Sequence, residues 1–176
     1  MAILTERLII RHPKISDAAA LNSSIIESIN ELRKYMPWVN QVPSVLDTQN
    51  NIENAIKLID ANQDIRFLIF SKNNDFVGSS GLHRIDWQIK KAEIGYWIKT
   101  SQSGHGLMTE AVNAIANYGI NELGLRRIEI ICSGSNTQSR RIPEKLGFTL
   151  EGILKNHRIN NDGTIDDTIY YAKVVQ

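Results

Sequence analysis

The spacing of apolar residues changes several times along the chain, and each change marks the end of one element and the start of another. Ile3 to Arg11 alternates loosely and is rich in Ile and Leu, which predicts a strand closed by His12 and Pro13. From Ser16, read as an N-cap with Asp17 in the first turn, Ala20, Leu21, Ser24, Ile25 and Ile29 recur every three to four residues, the period of a helix with one apolar face. Tyr35 to Pro43, YMPWVNQVP, has no period and carries two prolines, so it reads as a loop. Asp47 to Ala61 returns to helical spacing through Ile52, Ala55, Ile56 and Ile59. Strand-like segments then follow at Ile65 to Ser71, Phe76 to Ile85 and Ala92 to Lys99, the first two joined by a turn at Lys72 to Asp75.

The second half begins with SGHGLMTEAVNAIANYG, Ser103 to Gly119, in which two glycines precede a helix carrying Leu107, Ala111, Ala114, Ile115 and Tyr118 on one face. Arg126 to Cys132 reads as a buried strand. Asn136 can cap a short helix, Thr137 to Leu146, that Gly147 ends. Phe148 to Ile159 and Thr164 to Val174 are two last strands around a turn at Asn160 to Gly163. The order β-α-α-β-β-β-α-β-α-β-β predicts a mixed α/β (α+β) fold, with antiparallel hairpins around a central β-α-β crossover. No internal repeat, low-complexity tract or linker interrupts it, so a single domain over residues 1–176 is expected.

Composition narrows the function classes. The 176 residues are 42% hydrophobic and 22% charged, ordinary values for a globular protein. Lys plus Arg number 20 against 19 Asp plus Glu, a balance that argues against nucleic acid or an anionic membrane as the main partner. Cys132 is the only cysteine, which excludes an internal disulfide or a cysteine zinc cage and fits a reducing compartment. The start, MAILTERLIIRHP, meets Glu6 and Arg7 before any long apolar run, unlike a signal peptide, and no stretch approaches the roughly 18 apolar residues of a membrane span. A cytoplasmic location is expected.

The glycine loop carries the first chemical signal. Gly104 and Gly106 lack Cβ atoms, so the backbone from Ser103 to Met108 can aim its N–H groups at one point, forming an anion nest at a helix N-terminus. A P-loop would need Lys and Ser or Thr after the last glycine, where Leu107 and Met108 stand. A dinucleotide fingerprint would need a third glycine at Thr109. Neither fits.

Together with NTQSRRIPEKLGFTLEG, the loop resembles the GNAT superfamily of acyl-CoA-dependent N-acetyltransferases. That family has a glycine loop of the form (Gln/Arg)-x-x-Gly-x-(Gly/Ala) and a later Asn-x-x-(Ala/Ser) segment followed by Gly-Phe. TERLIIR at Thr5 to Arg11, KAEIGYWI at Lys91 to Ile98, GHGLMTEA at Gly104 to Ala111 and NTQSRRIPEKLGFTLEGILK at Asn136 to Lys155 are similar to the RimJ/RimL-like branch, which acetylates ribosomal-protein N-termini. The resemblance implies a largely antiparallel central sheet splayed between Ala92–Lys99 and Arg126–Cys132, with acetyl-CoA in the gap and no metal. The pantetheine would pair with backbone near Trp97 and Ile98, and the pyrophosphate would sit on Ser103, Gly104, His105, Gly106, Leu107 and Met108, with Asn136 also at the cofactor. Ser103 and Met108 depart from the family's loop pattern, but the contact is mainly with backbone N–H groups. Dimers occur among RimL-like proteins, so a homodimer is a further expectation.

Acyl transfer from a thioester to an amine needs a neutral amine, a stabilised oxyanion and a proton for the departing thiolate. Many GNAT enzymes donate that proton from a Tyr on the last helix, where this chain has Pro143. The RimL-like branch favours Ser139 near the sulfur, and the other reading of Ser139 is a residue that caps or fills space. For the base, Glu93 lies in the strand lining the expected gap, with an ordinary sheet ion pair as its alternative. His83, of a residue type that titrates near physiological pH, is the second candidate. Some RimL-like proteins carry a Glu where Arg158 stands, so that role cannot be transferred. An α-amine, with a pKa near 8, is about a tenth neutral at pH 7, against almost none for lysine, which favours an N-terminal acceptor. Tyr35, Met36 and Trp38 either wall the acceptor site or plug the core. A protein N-terminus is thus the first acceptor, and a polyamine, amino acid or aminoglycoside the alternative. A non-catalytic CoA-binding domain and a protein-binding scaffold using Tyr35 to Pro43 are readings of other classes.

Overall fold

The computed structural model describes residues 1–36, 38–39 and 41–175. Its centre is an eight-stranded sheet ordered β1-β2-β3-β4-β5-β6-β8-β7. The strands are β1 (Ala2–Leu4), β2 (Leu8–Arg11), β3 (Ile65–Ser71), β4 (Phe76–Asp86), β5 (Lys91–Ile98), β6 (Arg127–Ser133), β7 (Thr149–Ile159) and β8 (Ile165–Val174). Five helices accompany them: α1 (Ala18–Glu27), α2 (Ile29–Tyr35), α3 (Val45–Asp60), α4 (Leu107–Asn121) and α5 (Thr137–Lys145). No described helix is long and apolar enough to cross a membrane.

All neighbouring strands are antiparallel except β5 and β6, which α4 joins as the expected crossover. That parallel pairing covers only Lys91↔Arg127, Ala92↔Ile128 and Glu93↔Glu129. From Ile94 onward β5 pairs with β4 alone, and from Ile130 onward β6 pairs with β8 alone. The sheet therefore opens like a V in its middle, leaving two facing runs of backbone with one partner each.

Two apolar clusters hold the sheet from opposite sides. Leu8, Ile10, Phe67, Ile69 and Ile128 pack against Ala111, Val112 and Ile115 of α4. Leu68, Phe70 and Phe76 pack against Leu21, Ile25, Leu32 and Ile52 of α1–α3. The alternation of Phe67 and Ile69 with Leu68 and Phe70 sends consecutive side chains to opposite faces, as a strand covered on both sides requires. Each fully buried side chain of this size contributes about 1.5–3 kcal/mol, and Phe67→Ala would cost about 3–5 kcal/mol.

Three expectations need correction. The first strand is a hairpin: Thr5 N–H donates to the Leu8 carbonyl at 3.1 Å and Leu8 N–H to Thr5 Oγ1 at 3.0 Å, so Ala2–Leu4 folds back onto Leu8–Arg11. The first helix is two, broken at Ser28 (φ −98°, ψ 5°), so three helices precede β3 and Tyr35 ends α2 rather than beginning the loop. Ser16 is not the cap. It lies inside a short 3-10 turn, Ile15–Asp17, where the Asp17 carboxylate accepts from Lys14 N–H at 2.7 Å. Pro37 and Asn40 of the expected loop lie outside the described residues. Asn136 and the turn at Asn160 to Gly163 stand as expected, with Asn136 Oδ1 accepting from Ser139 N–H at 3.1 Å.

Candidate functional site

Two cavities fill the V. One, of about 330 Å³, runs from Trp97 and Ile98 along the glycine loop to Arg141 and Lys145. The other, about 800 Å³, lies over the opposite end of β4 and β5 and reaches Arg66, His83, Glu93, Cys132 and Arg158. Tyr35, Met36, Tyr96, Trp97, Asn136 and Ser139 line both. Those six residues form the junction.

The glycine loop is shaped as a donor cradle. Gly104 (φ 86°) and Gly106 (φ 74°) both adopt left-handed backbone, which only glycine holds cheaply. Ser103 N–H is taken by the Thr100 carbonyl at 3.1 Å, whereas the N–H groups of Gly104 through Met108 meet no protein acceptor among the described residues. Five consecutive donors at the positive end of α4 can thus be offered to an anion. Met108 sends its side chain into the core instead, 4% exposed, and Leu107 is half-buried at the start of α4, so both serve the loop through backbone.

The β1–β2 hairpin fixes the loop from behind. Arg7 Nε donates to Glu110 Oε2 at 2.6 Å, Arg7 Nη1 to the His105 carbonyl at 3.0 Å, and Thr5 Oγ1 to Glu110 Oε1 at 2.6 Å. Burial works to raise the Glu110 pKa, but the bonds from Thr5 and Arg7 outweigh it and hold the carboxyl below its ordinary range. The TERLIIR segment therefore braces the loop.

At the junction, Pro143 has a consequence that its sequence position conceals. It lies inside α5 and has no N–H, so the carbonyl four residues earlier, that of Ser139, loses its helical donor. Tyr96 Oη supplies the missing bond at 2.8 Å, and Ser139 Oγ donates back to Tyr96 Oη at 3.1 Å. Burial pushes the Tyr96 phenol upward, against the opposing hydrogen bond from Ser139, so it stays protonated at neutral pH. Nothing in the sequence singles Tyr96 out, because an aromatic residue in a strand looks like core. Its polar end, placed across the V from Ser139, is visible only once the strands separate.

The larger cavity gathers both candidate bases. His83 Nδ1 is 2.6 Å from Asp64 Oδ2, and Glu93 Oε2 accepts from Arg84 Nη1 at 2.6 Å. Glu93 sits on the last rung where β5 still pairs with β6, at the apex of the V. Cys132 faces the same space, 5% exposed, and burial raises its thiol to about 11 against the opposing pull of Arg140 and a bond from Ser139. Tyr35 and Met36 wall this cavity, and Trp38, 52% exposed, stands at its rim. The turn between β7 and β8 holds that wall in place: Asn161 Nδ2 donates to the carbonyls of Arg33 at 2.8 Å and Met36 at 2.9 Å. Among the described residues, no group of His, Cys, Asp and Glu is arranged to hold a metal ion.

Chemically, the arrangement is a pair of adjoining open cavities with anion donors at one end, a hydroxyl pair in the middle and titratable groups at the other. The profile of the acetyltransferase (GNAT) domain matches residues 7–149. The chain is 33% identical over 144 residues to the ribosomal-protein-serine acetyltransferase of Escherichia coli (strain K12), covering 82% of this chain and 79% of that protein. In three dimensions it is similar to a ribosomal L7/L12 α-N-protein acetyltransferase, RimL, in complex with coenzyme A disulfide-linked to one of its cysteines. The TM-score is 0.93 at 27% identity, over 99% of this chain and 98% of that one. It is similar also to the microcin C7 self-immunity acetyltransferase MccE in complex with acetyl-CoA and AMP, with a TM-score of 0.89 at 27% identity, over 97% and 94% of the two chains.

Proposed function

The chain belongs to the GNAT acetyltransferase family, and from that premise we propose that its acceptor is the N-terminal α-amine of a protein, with ribosomal proteins the first to test. It is an acetyl-CoA-dependent N-acetyltransferase of the RimL type. The observation that carries the proposal is the junction: one continuous gap, with the donor cradle on one side of Ser139 and a separate, larger cavity on the other, suits a donor and an acceptor that meet there.

The residues fit acetyl-CoA. The unpaired N–H groups of Gly104 to Met108 suit a pyrophosphate, Arg141 and Lys145 bring positive charge to the same cavity, and the edge of β5 at Trp97 and Ile98 is open to an extended amide chain. RimL's disulfide with coenzyme A, together with Cys132 in the gap of this chain, supports placing the thiol end at the junction. When bound, acetyl-CoA supplies an activated acyl carbon and a leaving thiol whose pKa of about 8.5 makes it a tolerable leaving group.

The protein's part is then orientation and proton handling. Ser139 Oγ–H, which donates to Tyr96, is placed to turn toward the sulfur and hold the charge that develops there. Tyr96 fixes the Ser139 backbone while it does so. On the acceptor side, His83 suits the base role when Nδ1–H donates to Asp64, because Nε2 then carries the lone pair. Glu93 is held by Arg84 and suits the shaping of the apex. Tyr35 and Trp38 suit the walls of the acceptor channel.

The test is incubation of the enzyme and acetyl-CoA with ribosomal proteins that carry free N-termini, read by intact mass and by fragment mapping. Acetylation at one or a few N-termini supports the proposal. Acetyl-CoA binding without modification of any N-terminus refutes it.

A further inference from the structure

Two arginines in the acceptor cavity lack an acidic partner of the kind that half of the ten arginines have. Arg7, Arg11, Arg84, Arg127 and Arg140 each lie against a carboxylate. Arg158 and Arg66 do not, among the described residues, and both line the larger cavity.

Arg158 arrives there because β7 is irregular. The β7–β8 register shifts between Leu154 and Arg158, and Asn156 within that stretch has φ 52°. The residue opposite Arg158 across the strands is Asp166, the natural partner, but its carboxylate is already occupied by Ser133 and Ser135 Oγ and by Asn160 Nδ2. Arg158 is left with one bond, from Nη2 to the Tyr35 carbonyl at 3.3 Å, and its Nε is buried with no acceptor. Arg158 lines the same cavity as Cys132.

Arg66 on β3 repeats the pattern on another wall. Its neighbour Asp64 is engaged with His83, and the Arg66 guanidinium bonds only to the amide oxygen of Asn51 on α3. Burial disfavours its charge, and Asp64 offsets that in part. A partly buried guanidinium without a carboxylate costs free energy unless an anion arrives to meet it.

We infer that the acceptor carries an anionic group near its amine, and that Arg158 and Arg66 receive it. This rests on the reading of the larger cavity as the acceptor side. The group is a carboxylate or phosphate. On a protein N-terminus it is the side chain of Asp or Glu within the first few residues, and on a free amine it is the molecule's own acid group. Guanidinium pairs with carboxylate or phosphate in a bidentate, directional way, so these two residues set selectivity as well as affinity.

The experiment compares two peptides identical except for Asp or Asn at the second and third positions, with O-phosphoserine and serine amide as the free-amine pair. Wild type, Arg158→Gln, Arg66→Gln and Arg158→Lys are assayed by free-thiol release, and acetyl-CoA binding to each is measured by calorimetry. We expect wild type to favour the acidic peptide by about tenfold in kcat/KM. Each Gln variant should bring that ratio toward one, and Arg158→Lys should keep part of it. The binding of the Nα-acetylated acidic peptide to the CoA-loaded enzyme should weaken in parallel. Equal rates within both pairs in wild type, the Asp and Asn peptides and O-phosphoserine and serine amide, or a preference that survives both Gln substitutions, would overturn the inference while leaving the acetyltransferase reading intact. An Arg-dependent preference seen only for O-phosphoserine upholds the anion site and moves the acceptor from a protein to a free amine. Acetyl-CoA binding with no turnover of any of the four amines overturns both the inference and the acceptor reading. Should Arg158→Gln fail to bind acetyl-CoA, Arg66→Gln, on a different strand, tests the same anion site independently.

Discussion

Tyr96 Oη donates to the Ser139 carbonyl at 2.8 Å, the bond that Pro143, one helical turn later, has no N–H to make. Two elements on opposite sides of the splay are thereby tied at the junction of the two cavities. The Pro that replaces the family's usual Tyr on this helix does not leave the junction without a phenol, because β5 supplies one from across the gap.

Substitutions at this pair should separate structure from chemistry. Ser139→Ala removes the hydroxyl and keeps the carbonyl, so Tm should move by less than about 2 °C while kcat falls by about tenfold or more. Tyr96→Phe leaves a half-buried carbonyl and a hydroxyl without partners, costing about 1–3 kcal/mol, or roughly 2–10 °C at this chain length. Pro143→Ala returns an N–H to the helix. Tyr96→Phe should therefore cost less in that background, with a coupling above about 0.5 kcal/mol in a double-mutant cycle. Additive effects would show that the proline does not set up the bond.

Gly106→Ala tests the cradle. Holding a Cβ at φ 74° costs roughly 1–2 kcal/mol, although the space around it is open apart from Arg7 Nη2 at 3.8 Å. The backbone should relax and turn its N–H groups away, so acetyl-CoA affinity measured by calorimetry should drop about tenfold, with peptide KM changed little. Unchanged affinity would place the pyrophosphate elsewhere.

Glu110 gives the brace a pH signature. Its folded pKa lies below the ordinary value of 4.5, so its contribution to stability is complete above that value and is lost as pH falls through the lower folded one. Glu110→Gln should be less stable than the parent by about 1 kcal/mol at pH 7, after allowance for the half-exposed Arg7. The gap between the two proteins should close below about pH 4. Denaturant melts at the two pH values measure this, and a gap that persists at low pH would mean that packing, not charge, makes the contribution.

The order of elements after β3 was legible in the sequence because each has a clean period and a chemical stop: Gly106 before α4, Asn136 before α5, Asn160 to Gly163 between the last strands. The hairpin at Thr5 was not, since Thr-Glu-Arg lacks the Gly or Asn of a tight turn and an unbroken strand fits the same apolar spacing. The break at Ser28 was hidden for a similar reason, because Ile25 and Ile29 keep helical spacing across it. Within the candidate site, the glycine loop and Ser139 lie in motifs that the sequence shows directly. The bond made by Tyr96 and the absence of a carboxylate beside Arg158 could not be read there. The first depends on a proline's missing N–H across the sheet, and the second on an irregular stretch of β7 that only strand pairing reveals.

Asn161→Ala removes the two bonds that hold the end of α2 and Met36 in place. The wall of the larger cavity should loosen, raising acceptor KM about three- to tenfold and lowering acetyl-CoA affinity less. Tyr35 and Met36 line both cavities, but the proposed division gives acetyl-CoA the glycine loop, which Asn161 does not touch. An equal loss in both would contradict that division.

Donor, acceptor and Ser139 meet in one comparison: free-thiol release from acetyl-CoA with two peptides of one sequence. One has a free α-amine and acetylated lysines; the other has a blocked N-terminus and free lysines. An enzyme that acetylates N-terminal α-amines turns over the first, dependent on Ser139, and shows at most about a tenth of that rate on the second. Turnover confined to the blocked peptide, or to neither while acetyl-CoA binds, would contradict an N-terminal acceptor.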